Sequence, residues 1–237
     1  MSFYGWILLG TIIGPLVLSF ERRIAFYTKS RPLFLAVLIV AIPFMIWDWY
    51  FTDLGVWGFN KEHVFGLSAF GLPIEEILFF AIVPYACLFV YEVVQAFLGR
   101  KNFDFYGKIF GFATALSAII LAMIHMQQWY TLWATVLASL AVIGVCFQMK
   151  AKWFGHFAVA FTICIIPFVV VNSLLTGLAT SNPVVWYNED HITGFRIGTI
   201  PMEDFYYNLG LYLSLVFVYE WLKTKKAPSK YEDASMK

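Results

Sequence analysis

Hydrophobic positions collect into seven long segments, at about 3–20, 33–51, 73–98, 107–124, 129–148, 156–177 and 203–222. Each comes near the roughly 20 residues that a helix needs to cross the hydrocarbon of a bilayer, so each predicts a transmembrane helix. Together they take up most of the chain and leave no room for a soluble domain. The first has no basic residue ahead of it and the triplet Glu21-Arg22-Arg23 directly behind it, the reverse of the charged leading region of a secretory signal. It predicts a retained helix.

Polar positions fall in the gaps, and their signs are sorted. With the N-terminus outside, the inner segments are 21–32, 99–108, 149–155 and the tail after 222, and every lysine and arginine except Lys61 and Arg196 lies in one of them. Basic loops stay on the cytoplasmic side, so the pattern predicts an odd number of spans and a cytoplasmic C-terminus. The expected location is the inner or plasma membrane, crossed many times. Composition agrees: 61% of the 237 residues are hydrophobic and 13% charged, against about 45–50% apolar in a soluble domain. A formal net charge of +1 argues against nucleic acid as a partner. Cys87, Cys146 and Cys164 sit in apolar segments without C-x-x-C spacing. They are expected as small buried hydrophobes rather than as a disulfide or metal ligands.

Displaced by 128 residues, the sequence overlays itself. The stretch NKEHVFGLSAFGLPIEEILFF beginning at Asn60 lies without gaps over NEDHITGFRIGTIPMEDFYYN beginning at Asn188, so that His63 meets His191, Pro73 meets Pro201 and Glu75 meets Glu203. The same displacement carries FVYE at 89–92 onto FVYE at 217–220, and after a four-residue shift Asp48 falls opposite Asn172. The expected organisation is all-α, a polytopic membrane bundle of seven transmembrane helices: a first three-helix repeat at 1–98, a linking helix within 99–128, and a second three-helix repeat with a cytoplasmic tail at 129–237. The linking helix returns the chain to the outer side, which makes the repeats parallel rather than inverted as in many transporters. Both acidic motifs then lie at one depth, each behind an outer loop of about 20–25 residues, long enough to be functional.

The paired acids Glu75-Glu76 and Glu203-Asp204 need a reason. An acid behind a helix-starting proline can cap free N–H groups. One acid serves that purpose, yet each helix has two, and successive helical residues point about 100° apart. Acids at membrane depth are expensive and usually face the protein interior. Asp48 near the outer end of the second helix and Asn172 near that of the sixth extend the set. Polar side chains from four helices are therefore expected to converge on one outer-leaflet pocket, with His63 and His191 in the loops placed to close over it. The histidines serve equally as interfacial hydrogen-bonding groups, and Asn60 and Asn188 serve equally as turn residues. An interfacial belt of Trp and Tyr explains most of the 20% aromatic content, but Trp47, Trp49, Phe79 and Tyr207 flank the acids, where aromatic faces stabilise cations. Glu92 and Glu220, about 25 Å further along their helices, are expected as anchors at the inner interface.

The doubled motif, a histidine followed ten residues later by Pro-x-Glu-Glu/Asp at a helix start, resembles the small integral-membrane lycopene cyclases of bacteria, archaea and fungi. Those occur as two three-helix subunits or as one fused polypeptide, and this chain resembles the fused form over nearly its whole length. The resemblance implies an isomerase of carotenoid biosynthesis that closes linear ψ end groups to β-ionone rings, lycopene to γ-carotene to β-carotene, with Glu75, Glu76, Glu203 and Asp204 as the catalytic acids. It implies a lipid-soluble carotenoid substrate, no cofactor, no metal and no partner subunit, and leaves homo-oligomerisation open. In the implied chemistry a neutral carboxylic acid protonates C2 of the end group, the C5 double bond captures the tertiary cation at C1, and a proton leaves C6. One group must be a neutral acid while another is a base. Glu75 and Glu203 are the acid/base candidates, in either order, with Glu76 and Asp204 as charge stabilisers or tuners.

Other classes share some of these features. A microbial rhodopsin needs a lysine inside its seventh helix, and 203–222 has none. A proton-coupled transporter suits membrane acids and repeats but predicts helices interrupted at the membrane middle, whereas these acids are interfacial. A metalloenzyme would recruit His63, His191, Glu75 and Glu203, although four histidines are few for a histidine-rich di-iron membrane oxygenase. The flavin-containing lycopene cyclases carry a G-x-G-x-x-G fingerprint that is absent here. A carotenoid hydratase shares the protonation step and captures the cation with water, and an ε ring differs from a β ring only in which proton leaves; the sequence separates neither from β-cyclisation.

Overall fold

The computed structural model describes residues 1–149 and 151–225. Lys150, Lys226, Lys230 and Lys237, part of the basic set read as cytoplasmic, lie outside the described residues. The apolar blocks become seven helices: α1 (Phe3–Leu18), α2 (Ser30–Asp53), α3 (Ile74–Leu98), α4 (Asp104–Ile124), α5 (Trp129–Val142), α6 (Phe154–Leu175) and α7 (Met202–Lys225). A π-helical stretch, Ile143–Gln148, prolongs α5. Five helices, α2 to α6, are long and apolar enough to cross a membrane, and the chain reads as a multi-pass membrane protein. Of the other two, α1 is apolar but only 16 residues long, while α7 has 24 residues and carries Glu203, Asp204, Glu220, Lys223 and Lys225 among its apolar ones.

At one end of the bundle the loops form three two-stranded antiparallel ribbons that the hydrophobic pattern does not announce. The strands β2 (Ser68–Ala69) and β3 (Leu72–Pro73) make a hairpin that leads straight into α3, and β5 (Arg196–Ile197) and β6 (Ile200–Pro201) make its counterpart before α7. Between the two loops, β1 (Trp57–Phe59) pairs with β4 (Val185–Tyr187), Gly58 standing opposite Trp186. A Cβ on Gly58 would lie 2.4 Å from the Trp186 ring, so only glycine lets that indole lie flat across the ribbon.

Below the ribbons, α1 packs on α3 and α5 on α7, while α2 packs on both α3 and α7, α3 on α6, and α4 along α5 and α6. Close crossing of α4 and α6 rests on Gly107, whose Cβ would sit 2.9 Å from the Gly155 Cα. At the far end the two FVYE stretches clasp each other: the Tyr91 hydroxyl donates to Glu220 at 3.0 Å and the Tyr219 hydroxyl donates to Glu92 at 2.7 Å. Glu92 is buried, 2% exposed, and also pairs with Lys29 and Lys223. This corrects its reading as an interfacial anchor: α3 turns it inward, where two partly exposed lysines reach in to neutralise it.

Candidate active site

A cavity of about 890 Å³ opens beneath the ribbons, walled by α1, α3, α6 and α7, within the range of small-molecule sites. Its lower part is apolar. At its head sit three carboxyl groups, Asp48 from α2, Glu76 from α3 and Asp204 from α7, with Asn172 from α6. All three acids are at least nine-tenths buried, and each is held differently. The Tyr4 hydroxyl donates to Glu76 at 2.6 Å. The Trp57 indole N–H donates to Asp48 Oδ1 at 2.9 Å, while Asp48 Oδ2 is buried without a hydrogen-bond partner. Asp204 receives three donors: the hydroxyls of Tyr130 at 2.6 Å and Tyr187 at 2.9 Å, and the Asn172 amide at 2.8 Å. Three donors and no acceptor is the set that a carboxylate anion takes. Burial, and then the Asp204 carboxylate beside it, pushes the Tyr187 phenol well above its usual range, which keeps it a donor.

The first acid of each motif is turned elsewhere. Glu75 accepts the Phe65 backbone N–H and the Ser2 hydroxyl; Glu203 accepts the Thr193 backbone N–H at 2.7 Å and the Thr131 hydroxyl at 2.6 Å. Neither lines the cavity. Each fastens the loop ahead of its own helix to the start of α1 or α5, rather than capping the helix on which it sits. The roughly 100° between neighbouring helical positions thus sends one acid of each pair to the loop and the other to the cavity.

Of the remaining residues singled out in the sequence, Phe79 and Tyr207 line the cavity. Trp47 packs behind it on Phe44, Phe51 and Tyr207. Trp49 is exposed and stays outside it, because one position along α2 turns it about 100° away from Asp48. The histidines do not close over the cavity: His63 Nε2 meets the Asn182 carbonyl at 2.9 Å, His191 ends the short turn Glu189–His191, and neither lines the space. Asn60 and Asn188 are turn residues, accepting the N–H groups of Glu62 and Asp190 at 3.0 Å each. Among the described residues, no three His, Cys, Asp or Glu side chains gather as a set for a metal ion. Cys87 and Cys164 are free thiols in the cavity wall.

Tyr4, Tyr130 and Asn208 also line the cavity, and the sequence reading passed over them. A signal existed: Tyr4 and Tyr130 lie near the starts of the first and fifth apolar segments. The 128-residue displacement does not join them, since Tyr4 plus that interval falls two residues past Tyr130.

A family model described as Lycopene cyclase matches residues 1–94 and 127–222. A bifunctional lycopene cyclase/phytoene synthase of Aspergillus niger is 28% identical over 89 residues, which is 35% of this chain and 15% of that protein's length. The chain thus matches a small part of that longer relative. No solved structure matches.

Proposed function

The chain belongs to the lycopene cyclase family, and we propose that it closes both linear ends of lycopene to β-ionone rings by acid/base chemistry alone. The observation that carries this reading is the meeting of Asp48, Glu76 and Asp204 at the head of one apolar, aromatic-walled cavity. A cyclisation that passes through a carbocation needs a proton donor, a fixed negative charge and freedom from water, and this arrangement can provide each. In the proposed sequence the Asp48–Glu76 pair holds one proton and gives it to C2. The electron pair of that double bond forms the new C–H bond and leaves the positive charge at C1. The C5 double bond attacks C1, closing the ring and moving the charge to C5. Asp204, fixed by its three donors, faces that charge together with the rings of Tyr207, Tyr130 and Trp57, and preorganised charge of this kind is a large source of catalysis. Loss of the C6 proton to the now-ionised pair forms the ring double bond and resets the site, so protons balance and no cofactor is consumed.

In this proposal the sequence-level division of labour is exchanged. Glu76 and Asp204 act on substrate, Asp48 joins them, and Glu75 and Glu203 hold the loops that roof the site. Expressed in a host that accumulates lycopene, the chain without any partner subunit is expected to yield β-carotene through a one-ringed intermediate. Products must equal lycopene in mass, since one proton enters and one leaves per ring. Mass heavier by one water per end group would show a hydratase instead, and unchanged lycopene beside well-inserted protein would refute the cyclase reading.

We further propose that all seven helices cross the membrane as two parallel three-helix repeats, ribbons outside, with N-terminus out and C-terminus in the cytoplasm of a cell with this inner or plasma membrane. Support comes from paired features at the 128-residue displacement: the β2–β3 and β5–β6 hairpins, and the Phe65 and Thr193 N–H groups on Glu75 and Glu203. A reporter active only in the periplasm, fused to the C-terminus, should be silent; strong periplasmic activity would overturn the orientation.

A further inference from the structure

A linear carotenoid has two identical ends, and this chain has two matching acid motifs, which invites a two-site enzyme with one motif per end. The geometry points the other way. We propose that both rings are closed at a single site built jointly by the two halves, the half-cyclised molecule leaving by the apolar limb of the cavity and returning with its other end first. The inference rests on the cyclase reading.

Three observations carry it. First, Glu76 from one motif and Asp204 from the other line the same cavity. Asp48 and Asp204 are separated by little more than two touching rings: Trp57 donates to Asp48, Tyr130 donates to Asp204, and the two rings lie 4.9 Å apart. The ends of an extended linear carotenoid lie about as far apart as the hydrocarbon of a bilayer is thick, roughly 30 Å, so the acids attend one end at a time.

Second, the place where a matching cavity would lie in the other half is filled. The observed limb runs beside α1, towards α6. Its counterpart would run beside α5, towards α2, and there Phe51, Trp57, Tyr130 and Ala134 form a buried cluster against which Trp47 packs. The helix α4 also packs along α5, and the groove of about 350 Å³ left between them is lined by no carboxyl group. Duplication has thus left one half with an open limb and the other with a closed one.

Third, the open limb leads outward. Trp6 on α1 and Ile166 and Val170 on α6 line the cavity and are also exposed, 58%, 72% and 56% respectively. Gly10 and Gly14 lie along the same wall of α1, where an added Cβ would meet nothing within 4 Å. A polyene bearing one ring can therefore withdraw sideways into lipid.

The test uses wild-type protein in lipid vesicles, supplied with isotope-labelled lycopene in the presence of excess unlabelled one-ringed carotenoid. Label is expected to collect in the one-ringed pool and to reach the two-ringed product only slowly; label passing directly to two rings would overturn the proposal. In parallel, Glu76→Gln and Asp204→Asn are offered lycopene and, separately, the one-ringed carotenoid. A single site requires each substitution to slow both ring closures by the same factor. A variant that makes the first ring at the wild-type rate and stops there would show two sites. Wild-type protein that forms no ring at all defeats the cyclase reading itself, an outcome distinct from a labelled two-ringed product formed without release.

Discussion

Replacing Glu76 with Gln is expected to lower ring formation by about 10²–10⁴-fold, the usual contribution of a positioned general acid, with insertion and protein level unchanged. The amide keeps the side chain's shape and still accepts the Tyr4 hydroxyl, which in the wild type donates at 2.6 Å, but it has no proton of the needed acidity to give. Glu75→Gln is the matched control. Its Oε1 still accepts the Phe65 N–H and the Ser2 hydroxyl; what changes is the charge assistance of those bonds and an amide N–H left without an acceptor where Glu75 Oε2 is buried unpartnered, a cost of about 1–3 kcal/mol felt by the loop rather than by the reaction. Initial rates of ring formation in membranes, normalised to inserted protein, compare the two. A near-normal Glu76→Gln beside an inert Glu75→Gln would return the acid role to the first glutamate of the motif and refute the mechanism proposed above.

The second large effect is on stability and lies at the opposite end of the bundle. Glu92 joins Lys29 of the short turn before α2, Lys223 of α7 and the Tyr219 hydroxyl. Substituting Ala takes the partner from Lys29, leaves Lys223 with Glu220 at 2.8 Å, and opens a buried space. Breaking a buried pair costs about 3–5 kcal/mol, and because these lysines are about one-third exposed and can turn to solvent, a loss of about 2–4 kcal/mol is expected. Glu92→Gln, which retains the shape and an acceptor for Tyr219, should lose less. Thermal unfolding in detergent gives the order: wild type above Gln above Ala. An Ala variant as stable as wild type would mean that the cluster only relieves the cost of burying its own charge.

Helix positions were legible because the apolar blocks are long and the breaks between them polar, so the membrane-length criterion decided each one without help from finer periodicity. The doubled motif was legible as two words in register. Which acid of each pair meets the cavity was not. That choice depends on the rotation of α3 and α7 about their axes, fixed by ribbons of two or three residues that are too short to leave a pattern, and by the clasp of Ser2 and Thr131 on Glu75 and Glu203. Trp47, Phe79 and Tyr207 stood out as aromatics near the acids. Tyr4 and Tyr130 did not, since a tyrosine at the start of an apolar segment is ordinary interfacial furniture and only the fold brings each across to an acid on another helix. The histidines misled for a related reason: matching positions at the 128-residue displacement are a likeness of sequence between two loops, while orientation towards the cavity is a property of the folded loop.

The exposed apolar rim formed by Trp6, Ile166 and Val170 sets the kind of kinetics by which such a protein is to be measured. A polyene substrate, as proposed above, stays in the bilayer rather than in water, because transferring its apolar surface to water is strongly unfavourable. The quantity that fills the cavity is then the substrate's mole fraction in lipid, and its amount per volume of suspension is immaterial. Adding empty vesicles that fuse with the loaded ones should slow the reaction in proportion to the added lipid, although nothing has been done to the aqueous phase. Adding the same volume of buffer should leave the turnover per protein unchanged.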